Sequence, residues 1–303
     1  MASPRNSIGG LDINRSSICF TQRVPDSSTI HNVGIQPIEM GGEDYWETAK
    51  SYLDDLISQT KIQGETIVSS LPGEYAIIKK LFLDGTEQDI DDAIEWELSQ
   101  QIIGSIDEYV YDYQPLTGNG GEGFKNYLVV GYRKTAVDRI TKLLKSRKLN
   151  PVIIDLDIFA LINVYEINYE DRKTVPALII FSDTSRTKLI ATVNGDFNDI
   201  EIFDHTEGTQ AVESYIDILN ENIAKLLAYN KKFTELGDMQ VYLAGSFFSK
   251  PDIAEAVTGN VKNSEILFPF RKITCSAGID DEKVKEFSPQ LAVSVGLALR
   301  DFD

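Results

Sequence analysis

The chain has 303 residues, of which 42% are hydrophobic, and carries 47 acidic against 29 basic side chains for a formal net charge of −18. That composition allows an ordinary folded protein with one large core or two moderate ones. So acidic a surface argues against a direct role on nucleic acid or on an anionic membrane, and suits a basic protein partner better.

In chain order, "IGGLDINRSSICF" (8–20) reads as a strand, a tight turn around Asp12, Asn14 and Arg15, and a second strand. A third strand runs through "HNVGIQPIEM", and Trp46, Ala49, Leu53, Leu56 and Ile57 then recur at helical spacing. "GETIVSSLP" is a short buried strand closed by Pro72-Gly73. This is the β-β-β-α-β order of half a ribonuclease-H-like unit. A distinct module follows over 74–149: the strand "YAIIKKLFL", a helix capped by Thr86 with acid in its first turn, the strands "DEYVYDYQPL" and "KNYLVVGYRK", and the amphipathic helix "AVDRITKLLKSRKL". Core character returns in "NPVIIDLDIFALINVYEI", a strand running into a helix, and "NYEDRKTVP" reads as the hinge to a second half.

The second half repeats the opening: "ALIIFSDTSRTKLIATVNGDFNDIEIF" is three strands and two turns. The helix "TQAVESYIDILNENIAKLLAYNKKF", the strand "MQVYLAG" and the helix "KPDIAEAVTGN" follow. The pattern is an internal duplication without identity of sequence. The closing helix "PQLAVSVGLALRDFD" sets Ala292, Ser294, Gly296 and Ala298 on one side, which suits close packing. The expected domains are a first core of 1–73 with 150–175, an inserted β-α-β-β-α subdomain of 74–149, and a second core of 176–303 with a reduced helical part at about 205–238.

The duplicated hairpins resemble the α/β actin-like fold, a duplicated ribonuclease-H-like architecture. "SLPGEYAIIKKLFL" with "TEQDIDDAIEWELSQQIIGSIDEYVYDYQPL" resembles the inserted subdomain of PilM, an actin-like type IV pilus assembly protein related to the cell-division protein FtsA. "YLVVGYRKTAVDRITKLLKSRKLNPVIIDLDIFAL" and the closing "VSVGLALRDFD" are similar to later segments of that family, so the resemblance spans the chain in order.

The family's first phosphate loop, Gly-Ile-Asp-Ile-Gly-Ser-Ser-Ser-Val-Lys, is matched by Gly10 to Cys19. The resemblance makes Asp12 the residue that orders magnesium, and Ser16 and Ser17 are kept. The turn glycine is replaced by Asn14, read as the least costly substitute at a left-handed position, and the basic residue by Cys19. Arg15 either holds a phosphate or fills its pocket. The second loop corresponds to Asp183, Thr184, Ser185 and Arg186, with no glycine. The adenosine motif is "LAGSFF", where Gly245 remains, Ser246 replaces the second glycine, and Phe247 and Phe248 stand where small residues leave room for a base. The family's long helical subdomain is cut to little more than one helix, about 209–233. The resemblance therefore implies Asp12, Asn14, Ser16, Ser17, Asp183, Ser185, Gly245 and Ser246 as vestiges of a nucleotide site, with ATP and Mg2+ not expected as cofactors.

Other features have plainer readings. "GNGGEG" (118–123) is followed by a strand, so a hairpin loop outweighs a phosphate loop. Asp89, Asp91, Asp92, Glu95 and Glu97 spread over several helical faces, as on a solvated acidic helix. His31 and His205 sit beside no nucleophile. Asp155 and Asp157 in "DLD" read as a helix N-cap, with a catalytic base as the alternative. Tyr109, Tyr111 and Tyr113 give one strand an aromatic face, for core packing or for gripping a peptide. Cys19 and Cys275 read as buried reduced thiols. No apolar run spans a membrane and the N-terminus lacks a secretory apolar core, so a cytoplasmic place without membrane insertion is expected.

The function implied is a bacterial, non-enzymatic scaffold of a type IV pilus or related secretion machine. It would sit beneath the inner membrane, linking a PilN-like membrane protein to the assembly motor. In that family PilN inserts a short peptide between the first core and the inserted subdomain. The cytoplasmic domain of the type II secretion protein GspL is a related architecture. The alternatives are a nucleotide-dependent switch using Asp12, Ser16, Asp183 and Gly245, and a sugar or acid kinase, which the shortened second half disfavours.

Overall fold

The computed structural model describes residues 7–24, 27–39, 45–62, 65–84, 86, 89–116, 123–205, 212–230 and 235–300. The glycine-rich stretch at 118–122 and both ends of the shortened helical interval, 206–211 and 231–234, lie outside them. Two compact units form, one of Met1–Leu71 with Lys145–Asp303 and one of Pro72–Leu144.

In the large unit, β1 (Ile8–Ile13), β2 (Ser17–Arg23) and β3 (Thr29–Pro37) form an antiparallel meander, followed by α1 (Tyr45–Thr60) and β4 (Thr66–Leu71). α1 forms where the sequence spacing expects it, burying Ala49, Leu53 and Leu56 on one stripe. The small unit holds β5 (Ile77–Asp84), α2 (Ile90–Ser99), β6 (Tyr109–Pro115), β7 (Phe124–Arg133) and most of α3 (Lys134–Ser146). The large unit then resumes with β8 (Asn150–Leu156), α4 (Asp157–Asn168), β9 (Ala177–Ser182), β10 (Arg186–Val193), β11 (Asp196–Asp204), α5 (Val212–Tyr229), β12 (Gln240–Ala244) and α6 (Pro251–Asn260). It closes with β13 (Ser264–Ile266), β14 (Thr274–Cys275), α7 (Asp281–Glu286) and α8 (Ser288–Ala298).

The duplication is explicit in the sheets. The first has the order β14-β3-β2-β1-β4-β8 and the second β11-β10-β9-β12-β13. In each, three antiparallel strands continue into two parallel ones through helical crossovers. The buried run Ala177–Ser182 takes the centre of its sheet, as a continuous apolar strand covered on both faces must. Asn194 and Gly195, both at positive φ, form the two-residue turn between β10 and β11. β14, contributed by the second half, adds to the outer edge of the first sheet beside β3.

Both sheets belong to one compact unit, although the sequence reading sets them in separate cores with a hinge at "NYEDRKTVP". α8 is the physical reason. All eleven of its residues are buried, and it packs on β1, β2 and α4 on one side and on β12 and the turn Ser246–Ser249 on the other. Its small residues allow backbone to meet backbone. A Cβ on Gly10 would collide with Ser294 O, and one on Gly296 with Ala160 O. Thr21 Oγ1 and Ser294 Oγ lie 2.9 Å apart, and Arg23 Nε donates to Ala298 O.

In the small unit the sheet order is β5-β7-β6, with α2 lying on one face over Leu81, Leu83, Tyr127 and Val129. Thr86 does not cap this helix. Asp89 does, its carboxylate accepting from Asp92 N at 3.2 Å, while the Thr86 hydroxyl turns back to Asp84. Tyr111 and Tyr113 face α2 and bond Glu95 and Asp91, so the aromatic face of β6 is packed and is not open to grip a peptide.

Gly296→Ala or Gly10→Ala should cost at least about 1–3 kcal/mol, the usual range for overpacking, because the clash is with main chain that cannot yield. Gly259→Ala on α6, where a Cβ meets nothing, should gain up to about 1 kcal/mol of helix propensity. Urea midpoints of the three variants check this; equal midpoints would contradict it.

Candidate functional site

The first hairpin turn is built from β1 and β2, which pair Asp12 with Cys19 and Ile13 with Ile18. Asn14 N donates to Ser17 O at 3.0 Å and closes the turn. Asn14 is not among the residues at positive φ, so the left-handed reading of this position is corrected. Its side chain explains why asparagine serves. Asn14 Oδ1 accepts from Ser16 N at 2.9 Å, Ser17 N at 2.9 Å and Ser16 Oγ at 2.8 Å. Its Nδ2 donates to Asp12 Oδ2 at 2.7 Å. The turn amides that a phosphate would use are thus donated to a carboxamide of the same turn.

Asp12 is buried, and its other oxygen accepts from Ser70 Oγ at the end of β4 at 2.9 Å. Burial pushes its carboxyl up to about 6; the Asn14 bond opposes this, the Asp157 carboxylate adds to it, and Ser70 and Lys188 pull down. Burial, with the Asp12 charge beside it, also drives the Cys19 thiol far up, which makes it an inert core thiol. Cys275, on the edge strand β14, is only half-buried.

The second turn repeats the device. Asp183 Oδ1 accepts from Ser185 N at 2.8 Å and Arg186 N at 2.9 Å. Arg186 Nε bonds Asp204 at 2.6 Å and holds that carboxyl below its ordinary range, the Arg15 charge adding to the effect.

Gly245 survives for a structural reason. It sits at φ +102°, a Cβ there would strike Ser182 O, and its N–H donates to Pro289 O at 2.8 Å. Ser246 Oγ lies 2.7 Å from Ser16 Oγ, which joins the adenosine-type motif to the first turn. Phe247 and Phe248 turn into the second half's core, where Phe247 packs on Tyr215 at 4.7 Å and on His205 at 5.0 Å. His205 Nε2 lies 3.1 Å from Ser182 Oγ, as a satisfied core histidine does.

Neither aspartate of "DLD" is the N-cap of α4; Leu156 holds that position without a side-chain bond. Asp155 accepts from Leu156 N and faces Arg300 at 3.6 Å. Asp157, the first helical residue, forms a buried ion pair with Lys188 of β10, both side chains under one-tenth exposed. Lys188 is the buried charge at this site that the sequence reading missed. Its signal was a lone lysine inside the apolar strand "TKLIATV", which needs a buried acid.

The structure thus brings Asp12, Asn14, Ser16, Ser17 and Ser246 together and sets Asp183 and Ser185 in a matching turn. The resemblance would make Asp12 the magnesium partner, but both its oxygens are engaged within the chain. No group of acids, histidines or cysteines with metal-binding geometry occurs among the described residues. In the two turns the Ser16, Ser17, Ser185 and Arg186 amides are engaged by Asn14 and Asp183.

Comparison with known proteins decides the kinship. The family model of the type IV pilus assembly protein PilM matches residues 10–191, more than half of the chain. The chain belongs to the PilM family. A solved structure of a PilM-PilN type IV pilus biogenesis complex is similar over 98% of this chain and 99% of that one, with a TM-score of 0.79 and 19% identity. The ethanolamine utilization protein EutJ from Carboxydothermus hydrogenoformans aligns over 98% and 90% of the two chains, with a TM-score of 0.53 and 11% identity. At such identities these likenesses speak for the fold, which is actin-like α/β. No curated protein matches the chain. Among the described residues no helix is long and apolar enough to cross a membrane.

The Asp12 carboxyl at about 6 lies above its ordinary 3.8, so the native state holds this proton more tightly than the unfolded one. Its stabilising contribution is complete below about pH 4 and is lost as pH rises through 6. The stability of the wild type relative to Asp12→Asn should therefore fall between pH 4.5 and 7.5 in urea unfolding. A flat difference would contradict the assignment.

Proposed function

We propose that this member of the PilM family is a non-enzymatic scaffold of type IV pilus assembly that works through a PilN-like inner-membrane partner. It lies on the cytoplasmic side of that membrane, held there by the partner, and links it to the assembly motor. The observation that carries the reading is the pair of hairpin turns whose amides end on Asn14 Oδ1 and Asp183 Oδ1. A switch or ATPase needs those amides for its nucleotide. Family membership and the likeness to a PilM-PilN complex support the choice of machine and partner.

The small unit supplies a surface for a partner peptide. Successive side chains of a strand alternate between faces, so Phe82, Val110 and Phe124 lie opposite the face that α2 covers. Phe82 and Phe124, 62% and 50% exposed, lie near one another at one end of the sheet, and Val110, 41% exposed, lies at the other. The proposed role of this face is to take up the short segment of the PilN-like protein, with apolar side chains meeting the Phe82 edge.

The test is capture of a full-length PilN-like partner by this chain. Phe82→Glu should weaken capture by about tenfold or more, as loss of an interface anchor does. Val152→Glu, equally apolar and 47% exposed but on β8 of the large unit, should leave it unchanged. No capture by the wild type would overturn the partner, and equal capture by both variants would overturn the surface.

A further inference from the structure

The two halves of the large unit are joined beside the first hairpin turn by side chains from both. Asp157 stands at the start of α4, directly after the last strand of the first sheet; Lys188 stands in the second sheet. Their ion pair therefore spans the two halves, with the lysine 3% and the aspartate 5% exposed. Ser16 of the first turn bonds Ser246 beside Gly245 of the second half at 2.7 Å. The Lys188 ammonium also sits 5.7 Å from the Phe181 ring centre, so its stem is packed as well as its charge paired. Asp12 adds a second buried acid whose titration feels both Asp157 and Lys188.

We propose that the Lys188–Asp157 pair, with the Ser16–Ser246 bond, is a built-in clasp that holds the two halves in one closed arrangement and takes the bridging place a ligand would otherwise fill. A buried ion pair adds little net stability over apolar packing, but removal of one partner strands a charge and is strongly disruptive. Such a pair is suited to fixing a single arrangement more than to raising stability. Asn14 and Asp183 complete the device, since they take up the Ser16, Ser17, Ser185 and Arg186 amides within the turns. The inference goes beyond the scaffold role and does not depend on the identity of the partner.

Amide hydrogen exchange of the intact chain tests it, read at Asn14, Ser16, Ser17, Ser185 and Arg186 against β5 and β7 of the small unit. Lys188→Met and Asp157→Asn should each speed exchange at both turns by about tenfold or more, with the small unit unchanged, as local opening does. The double variant, which strands no charge, should be accelerated less than either single variant. Ser246→Ala, which removes a single hydroxyl, should give a smaller acceleration at both turns and keeps the test open if a Lys188 variant does not fold. Millimolar Mg-ATP should not slow exchange at either turn of the wild type. Unchanged exchange in the single variants and in Ser246→Ala, additive effects in the double variant, or slowing by Mg-ATP would each overturn the clasp. Loss of partner capture would bear on the scaffold reading alone.

Discussion

The fold depends on one close approach: α8 lies against β1 and α4 with only the hydrogens of Gly10 and Gly296 between main chains. Close-packed interiors give little at such points, so this helix sets the spacing of everything on either side of it. It touches the first sheet through Thr21 and Arg23, and the second through the Gly245 N–H bond to Pro289 O. The turns that resemble phosphate loops are strand ends held to that frame.

Given that frame, the site is decided by a few side chains that turn inward. In a turn, asparagine and aspartate offer an acceptor to amides two and three residues on, which is the geometry at Asn14 and Asp183. A glycine at position 14 would leave those amides for an external anion; asparagine uses them internally. The buried Asp157–Lys188 pair extends the same logic from hydrogen bonds to charge. In the proposed scaffold role, a chain arranged in this way keeps its fold for its surfaces. That accords with a family defined by pilus assembly and with apolar side chains left exposed on the small unit's sheet.

Much of this is legible in the sequence alone. The stripe Ala49, Leu53 and Leu56, the Asn194-Gly195 turn and the repeated hairpins each carry their structure in local spacing. The small residues of α8 announced close packing, but not burial on every side, because a helix enclosed all round loses its periodic signal. The bond network at Asn14 was hidden because its φ and side-chain direction depend on turn geometry. Thr86 has the chemistry of a cap, but Asp89, three residues on, stands at the start of the helix and takes that role. Asp157 and Lys188 are 31 positions apart and look unremarkable in isolation; only the topology makes them a pair. β14 is too short for any pattern, yet it ties the second half to the edge of the first sheet.

The claim that the chain's own side chains occupy the place of a nucleotide is tested most directly by isothermal titration of Mg-ATP into the intact protein. The account predicts no heat of binding at millimolar nucleotide for the wild type. Micromolar binding by the wild type, lost in Asp12→Ala, would contradict it and make the altered turns a working site.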